Sequence, residues 1–392
     1  MRKTLLVFIT LLILLCVVFF TRLRLVIVSA LFIWDFLDQS EKQEPHGGSL
    51  SWVSSEPTVS HISIPVGDRE IRADLYAVQN EGEKAAILLT HGLIATGKED
   101  PRLIRFATSL ARAGFVVLIP ELRGMKSLRI LLGDVDDIVA SYRFLASLND
   151  QVDENKMGIL GFSYGAGPTL MAASRPSIRS QVDFVASFGG YFDSINVLRF
   201  ITTGYYEYQG KEGHHKPEPY GKEVFFLNNL DYVQSEQDRR ILKEIFTNEA
   251  LERKNEREEI RPLLGRLSPE GLALYELLVN EDPKRVEGLI RRTDRGFQDY
   301  LDWLSMVRIV PLVEAYLIIG HGTGDPLIPY TESLRLADAV KDKNKVHLVI
   351  LNLFAHVDPS HKSYSIKDYL TVYLPSIFHF YLLIYDLLSQ QL

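Results

Sequence analysis

The pentapeptide Gly161-Phe162-Ser163-Tyr164-Gly165 constrains this chain more than any other stretch. A short apolar run, 156–160, precedes it, and a segment of helical character, 166–174, follows it. Strand, Gly-x-Ser-x-Gly, helix is the context in which a serine is lifted clear of its own backbone on a sharp turn. Gly161 and Gly165 carry no Cβ, so strand and helix backbones can crowd around that turn. The pattern thus marks a local geometry and a candidate nucleophile, Ser163. The plainer alternative is a Gly-Ser turn without chemistry, and the rest of the sequence has to decide between them.

Two later segments supply candidate partners. The run 314–320 reads as a buried strand and leads into His321-Gly322-Thr323-Gly324-Asp325-Pro326. The run 346–351 reads as another strand, followed by Asn352-Leu353-Phe354-Ala355-His356. An acid and a histidine in loops after late strands can orient and perform proton transfer for a serine. Asp325 and His356 are the candidates, with Asp193 and His361 as rivals. Upstream, a strand at 86–90 ends in His91-Gly92-Leu93. His91 and His321 read as loop-shaping residues. Arg123, in its Leu-Arg-Gly turn, reads as a tie for a loop.

Around these motifs strands and helices alternate. Strands are expected at 86–90, 115–120, 157–161 and 183–188, with helices at 101–113, 134–148 and 166–174 between or after them. A hairpin at 61–66 and 70–77 comes first. Buried apolar strands alternating with helices imply an α/β fold, a mainly parallel sheet covered on both faces. In such sheets sites lie at the carboxyl ends of strands. Ser163, Asp325, His356 and the Leu93 loop all fall there. The rhythm breaks between 197 and 308, where the chain turns polar and helix-like, with a charge-rich run at 249–259. That segment is expected to form a helical lid. Tyr205, Tyr206, Tyr208, Tyr220, Phe225 and Phe226 either line the pocket entrance or pack the lid on the core.

From about residue 60 to 385 the chain resembles an α/β-hydrolase, and is most similar to the dienelactone-hydrolase-like and prolyl-oligopeptidase-like branches. The resemblance rests on Thr90-His91-Gly92, Pro120-Glu121-Leu122-Arg123-Gly124, Gly161 to Gly165, His321 to Pro329, and Ala355-His356. The order Ser163, Asp325, His356 is that of α/β-hydrolases. The resemblance implies an eight-stranded type of sheet and an oxyanion hole formed by the amides of Leu93 (or Ile94) and Tyr164. It implies no cofactor. Dienelactone hydrolases use a Cys nucleophile where this chain has Ser163, so a lactone substrate does not carry over. The implied activity is that of a carboxylic ester hydrolase, cleaving an ester or thioester of a small acyl substrate through an acyl-enzyme on Ser163. A serine peptidase for short peptides and a non-catalytic binding protein on the same fold are the alternatives.

Bulk properties exclude other classes. A chain of 392 residues with 46% apolar content suits one large α/β domain with an insertion, or two small domains. A net charge of −7 without a large basic block speaks against nucleic acid as a partner. The single cysteine, Cys16, leaves no disulfide framework and no thiol metal site. Oligomeric state is not encoded in any motif.

The N-terminus carries a separate signal. Arg2 and Lys3 precede the uncharged run 4–20, and a second apolar run, 25–37, follows Arg22 and Arg24 and is interrupted by Asp35. The first run is near the low end of what spans a bilayer. A cleavable signal peptide would need small residues where Phe19-Phe20-Thr21-Arg22 stands. A single-pass anchor is therefore expected over 1–38, with the catalytic domain outside the cytoplasm, although Arg22 and Arg24 pull the other way. The expected organisation is an anchor at 1–38, a linker at 39–58, hydrolase core at 59–196, lid at 197–308 and hydrolase core at 309–392. The apolar C-terminal segment, 369–392, reads as a final helix on the sheet or as a membrane-facing partner of the anchor.

Overall fold

A computed structural model describes residues 2–37, 48–79, 82–247, 257–352, 354–355, 358–359 and 369–392. The sheet begins with a hairpin, β1 (Thr58–Val66) and β2 (Arg69–Ala77), turned at Gly67 with φ +58°. β3 (Lys84–Thr90), β4 (Val116–Pro120), β5 (Val152–Phe162) and β6 (Phe184–Phe188) follow. β4 and β6 are buried at every position, and β3 at every position after the first, as strands covered on both faces must be. Two short strands, β7 (Tyr205–Tyr208) and β8 (Lys211–His214), stand apart as a hairpin of their own. β9 (Tyr316–Gly322) and β10 (Val346–Leu351) complete the main sheet.

Among the described residues that sheet has eight strands in the order β1-β2-β4-β3-β5-β6-β9-β10. β2 runs antiparallel to both β1 and β4, and all later neighbours are parallel. The parallel strands therefore point their carboxyl ends to one edge. Register aligns Thr90 with Gly161, Phe162 with Phe188, and Leu351 with Gly322. The turns that follow these residues share one rim.

Helices cover the faces as the strand-helix rhythm requires. α1 (Arg2–Leu37) opens the chain. α2 (Pro101–Ala113) is capped by Asp100, whose carboxylate accepts from the Arg102 amide, with Pro101 in the first turn. A single turn, α3 (Arg123–Lys126), leads to α4 (Leu132–Ala146), and α5 (Ala166–Ala173) follows the Ser163 turn. Strand side chains alternate between two cores. Ala86 and Leu88 face α4 and α5, while Ala85, Ile87 and Leu89 face α1, α2 and the C-terminal helix.

The insertion between β6 and β9 holds α6 (Ser194–Thr203), α7 (Pro219–Asn228), α8 (Glu236–Thr247), α9 (Arg257–Leu264), α10 (Pro269–Leu278), α11 (Val286–Ile290) and α12 (Arg295–Leu304). Most of the charge-rich run at 249–259 lies outside the described residues. The segment expected to form a helical lid also contains the β7–β8 hairpin. Its turn residues, Gln209 and Gly210, both have positive φ, +50° and +76°, the signature of the two-residue turn that suits strand twist. A Gln-Gly pair announces that turn less clearly than Asn-Gly does. The cap is tied to the core by the Tyr300 hydroxyl, which donates to the Ile130 carbonyl at 3.3 Å, and by Arg129, which pairs with Asp231 at 2.7 Å.

After the cap come α13 (Thr331–Ala339) and the C-terminal α14 (Leu374–Ser389). α14 buries Phe380, Leu383, Ile384, Leu387 and Leu388 against the sheet. Residues 370–389 form the one helical stretch, among the described residues, long and apolar enough to cross a membrane by length and composition. The second half of α1 lies beside it. Leu25, Val28, Phe32 and Ile33 are buried in the same core. The Asp35 carboxylate accepts from the Ser49 amide at 2.5 Å, the Ser49 hydroxyl at 2.7 Å and the Leu50 amide at 2.9 Å, locking the end of α1 to the body. The first part of the linker expected at 39–58, residues 39–47, lies outside the described residues.

Candidate active site

Ser163 is the first residue past β5 and has φ +53°. A serine in the left-handed region is disfavoured by roughly 1–2 kcal/mol and persists only where the surroundings enforce it. Here they do. A Cβ on Gly165 would lie 2.2 Å from the His91 carbonyl oxygen, and one on Gly161 2.8 Å from the Ala166 Cα. Both glycines are needed for the close approach of strand, turn and helix. The hydroxyls of Thr90 and Thr169 meet at 2.7 Å, clamping α5 to the end of β3. The turn thus carries Ser163 at the rim with its side chain almost buried.

The loop after β3 approaches from the other side. A Cβ on Gly92 would sit 3.4 Å from the Ser163 Cβ, so the Gly92-Leu93 backbone passes directly beside the serine. His91 holds this loop. Its Nδ1 donates to the Gly92 carbonyl at 2.7 Å, and its Nε2 accepts from the Leu122 amide at 3.4 Å. Burial lowers its pKa, which favours this neutral form. With both nitrogens engaged, His91 shapes the loop and has no free nitrogen for the serine. Gly92, Leu93, Ser163 and Tyr164 all line one cavity.

Asp325 is buried in the turn after β9. Its Oδ1 accepts from the amides of Leu327 at 2.8 Å and Ile328 at 2.9 Å, an arrangement that fixes the carboxylate. His321 lies 3.3 Å from Asp325 Oδ2, but its nitrogens are occupied by the Ser333 hydroxyl at 2.7 Å and the Ile328 carbonyl at 3.0 Å. His321 is a prop for the turn. Tyr164 links the serine turn to the Asp325 turn, its hydroxyl donating to the Leu327 carbonyl at 3.5 Å. Burial, and then the Asp325 charge, push the Tyr164 phenol far above its usual range. The rival acid Asp193 is committed elsewhere. Its side chain caps α6 by accepting from the Ile195 amide at 2.8 Å. His356 and its rival His361 lie outside the described residues.

The cavity has a volume of about 390 Å³. Leu93, Phe106, Phe162, Val197, Val224 and Leu327 give it apolar walls, and Tyr191, Asn229 and Arg129 add polar atoms. Of the cap aromatics singled out in the sequence, Tyr220 and Phe225 line it, whereas Phe226 is packed in the core. Phe36 of α1 also lines it, a contribution no sequence motif announces. Tyr191 is buried, its hydroxyl makes no hydrogen bond, and burial raises its pKa well above the usual range. Glu332 was likewise unmarked in the sequence. Its buried carboxylate accepts from the amides of Phe192 at 3.2 Å and Asp193 at 2.7 Å, fixing the loop after β6. Burial pushes its pKa up to about 7 despite the nearby Arg335 guanidinium.

Residues 101–178 match the prolyl oligopeptidase family. That window contains the Ser163 turn but neither Asp325 nor His356. Over 164 residues the chain is 27% identical to the quorum-quenching protein AidA of Acinetobacter baumannii. The match covers 40% of this chain and 52% of AidA, so the chain spans about half the length of that curated relative. Among solved structures the chain is similar to the acylaminoacyl peptidase of Pyrococcus horikoshii, with TM-score 0.49 and 16% identity, covering 86% of this chain and 42% of that one. It is also similar to a dienelactone hydrolase of Anabaena variabilis, with TM-score 0.45 and 14% identity, covering 86% of this chain and all (100%) of that one.

Proposed function

We propose that the chain is a serine hydrolase of carboxylic esters or thioesters on an α/β-hydrolase fold, held at a membrane by residues 1–38. The observation that carries this reading is the strained Ser163, φ +53°, beside the Gly92-Leu93 loop in an apolar cavity of about 390 Å³. Strain of this kind marks functional turns, and an apolar cavity with few polar atoms suits an acyl group.

In the proposed reaction, His356 takes the proton from the Ser163 hydroxyl as its oxygen attacks the carbonyl carbon. Asp325, held by two backbone amides, orients the imidazole and stabilises its charged form. The amides of Leu93 and Tyr164 donate hydrogen bonds to the developing oxyanion, each donor typically worth about 10²–10³ in rate. The leaving group takes the proton from His356, and water, activated by the same histidine, then releases the acid from Ser163. No cofactor enters these steps. The Arg2–Lys3 flank supports a catalytic domain outside the cytoplasm, against the pull of Arg22 and Arg24.

A peptidase is the second reading, favoured by the prolyl oligopeptidase match over 101–178. A panel of acyl esters and thioesters against short blocked peptides separates the two, with Ser163→Ala beside the wild type. Ester turnover lost in the variant supports the proposal. Turnover of peptides alone moves the assignment to the second reading, and ester turnover retained by Ser163→Ala removes Ser163 from the mechanism.

A further inference from the structure

Two helices packed side by side present apolar stripes to the outside. On α1, Leu23, Ile27 and Trp34 are exposed, the last at 66%, on the side opposite the buried Leu25, Val28, Phe32 and Ile33. On α14, Leu374, Phe378 and Leu382 recur at four-residue spacing and are likewise exposed, opposite the buried Leu383, Ile384 and Leu387. The helices touch at Phe380 and Tyr381 of α14. The Tyr381 hydroxyl reaches the Val26 carbonyl at 3.5 Å, and the rings of Phe36 and Phe380 lie 5.4 Å apart. Both bury their inner faces in one core, so their outer faces form one surface. Contiguous apolar surface beyond a few hundred Å² is rare on soluble monomers and marks a binding face.

Two features identify the occupant as a lipid bilayer. α1 runs without a break from the uncharged run 4–20 into this segment, and such a run fits hydrocarbon. Arg22 and Arg24 are exposed and, at helical spacing, flank the stripe on either side, as cations at the headgroup level do. The inner side of α1 meets the active-site cavity. Phe36, two residues beyond Trp34, lines that cavity together with Ser163. A chain of aromatic contacts, Phe36 to Phe106 at 6.2 Å and Phe106 to Phe162 at 5.1 Å, leads from α1 to the residue before the serine.

We propose that the α1–α14 face seats on the bilayer and that the cavity draws the acyl chain of a bilayer-resident lipid ester past Phe36 to Ser163. This rests on the serine hydrolase reading and narrows its substrate to long acyl chains of membrane lipids. It also constrains the anchor. An upright α1 would hold Trp34 about 20 Å above the end of the uncharged run, given a rise of about 1.5 Å per residue. A seated face brings Trp34 to the acyl-headgroup boundary.

Two measurements on the full chain in phosphatidylglycerol–phosphatidylcholine vesicles test this. The first uses the Trp52→Phe, Trp303→Phe variant, which leaves Trp34 as the sole tryptophan, and lipids brominated high on the acyl chain. Strong quenching of Trp34 emission is expected, and emission unchanged from unbrominated vesicles overturns the seated face. The second compares hydrolysis of a long-chain lipid ester in vesicles with that of a soluble acetyl ester. In Phe378→Glu, Leu382→Glu the ratio of the two rates should fall about tenfold or more, as charges enter the interface. The acetyl ester shows that the variant is folded. An unchanged ratio, with or without conversion of a dimer to a monomer, overturns the proposal, and in the dimer case assigns the face to a second copy. Quenched Trp34 with neither ester hydrolysed by wild type would overturn the hydrolase reading and the lipid substrate while leaving the bilayer contact in place.

Discussion

Ser163 combines an observed backbone strain with a proposed nucleophile. Its φ of +53° is uncomfortable for any side chain with a Cβ, and the crowding of Gly161 and Gly165 against their neighbours keeps it there. Ser163→Ala should abolish turnover with little change in stability, because the strain remains. Ser163→Gly should be equally inactive yet more stable than Ser163→Ala by about 1 kcal/mol, since glycine occupies that region freely. Denaturant unfolding of the two variants measures the difference, and equal stabilities would show that the turn is unstrained. This residue was the most legible in the sequence, because glycines at fixed offsets report a backbone requirement. Asp325 was legible for a similar reason, its place after a late apolar strand. Glu332 was not. Nothing around it in the sequence distinguishes a glutamate facing solvent from one turned inward to hold the amides of Phe192 and Asp193.

At the scale of elements, the strands and helices of the core were readable because each is long enough for its hydrophobic period to show. The β7–β8 hairpin was not, since four-residue strands inside a polar segment carry too few positions for alternation to stand out. α1 is the more consequential case. Its apolar residues signal a membrane segment from sequence alone, yet Leu25, Val28, Phe32 and Ile33 are also core residues packed on α2 and α14. Hydropathy cannot tell lipid from protein as the apolar neighbour. Full burial of such side chains contributes about 1.5–3 kcal/mol each. Deleting residues 1–38 should therefore destabilise the catalytic body by several kcal/mol and open the cavity at Phe36, whereas deleting 1–20 should leave its melting temperature nearly unchanged. Calorimetry of the two truncations decides this, and equal melting temperatures would show that α1 contributes nothing to the fold.

The whole molecule should register its buried acids through pH. Glu332, fully buried, has a carboxyl pKa raised by desolvation from 4.5 to about 7. Its neutral form suits the fold, so its contribution is complete below the unfolded value and is lost as pH rises through about 7. Asp134, raised by burial to about 6, acts with the same sign. Stability should fall between about pH 4.5 and 8, and Glu332→Gln should flatten much of that slope. The variant's advantage at pH 8 should approach about 3 kcal/mol at most, from 1.36 kcal/mol per pKa unit. Urea unfolding across this range is the check. A wild type whose stability rises over it would contradict a neutral buried Glu332.

The central proposal, resting on the shared rim of strand ends and the Ser163 turn, is covalent catalysis at one serine. Treating the full-length chain with a fluorophosphonate and locating the adduct by peptide mass spectrometry tests this most directly. A single adduct on Ser163, absent from Ser163→Ala and lost in His356→Ala, is the expected result. No adduct on a folded wild-type chain, or an adduct that persists in Ser163→Ala, would contradict the assignment of Ser163 as an activated nucleophile.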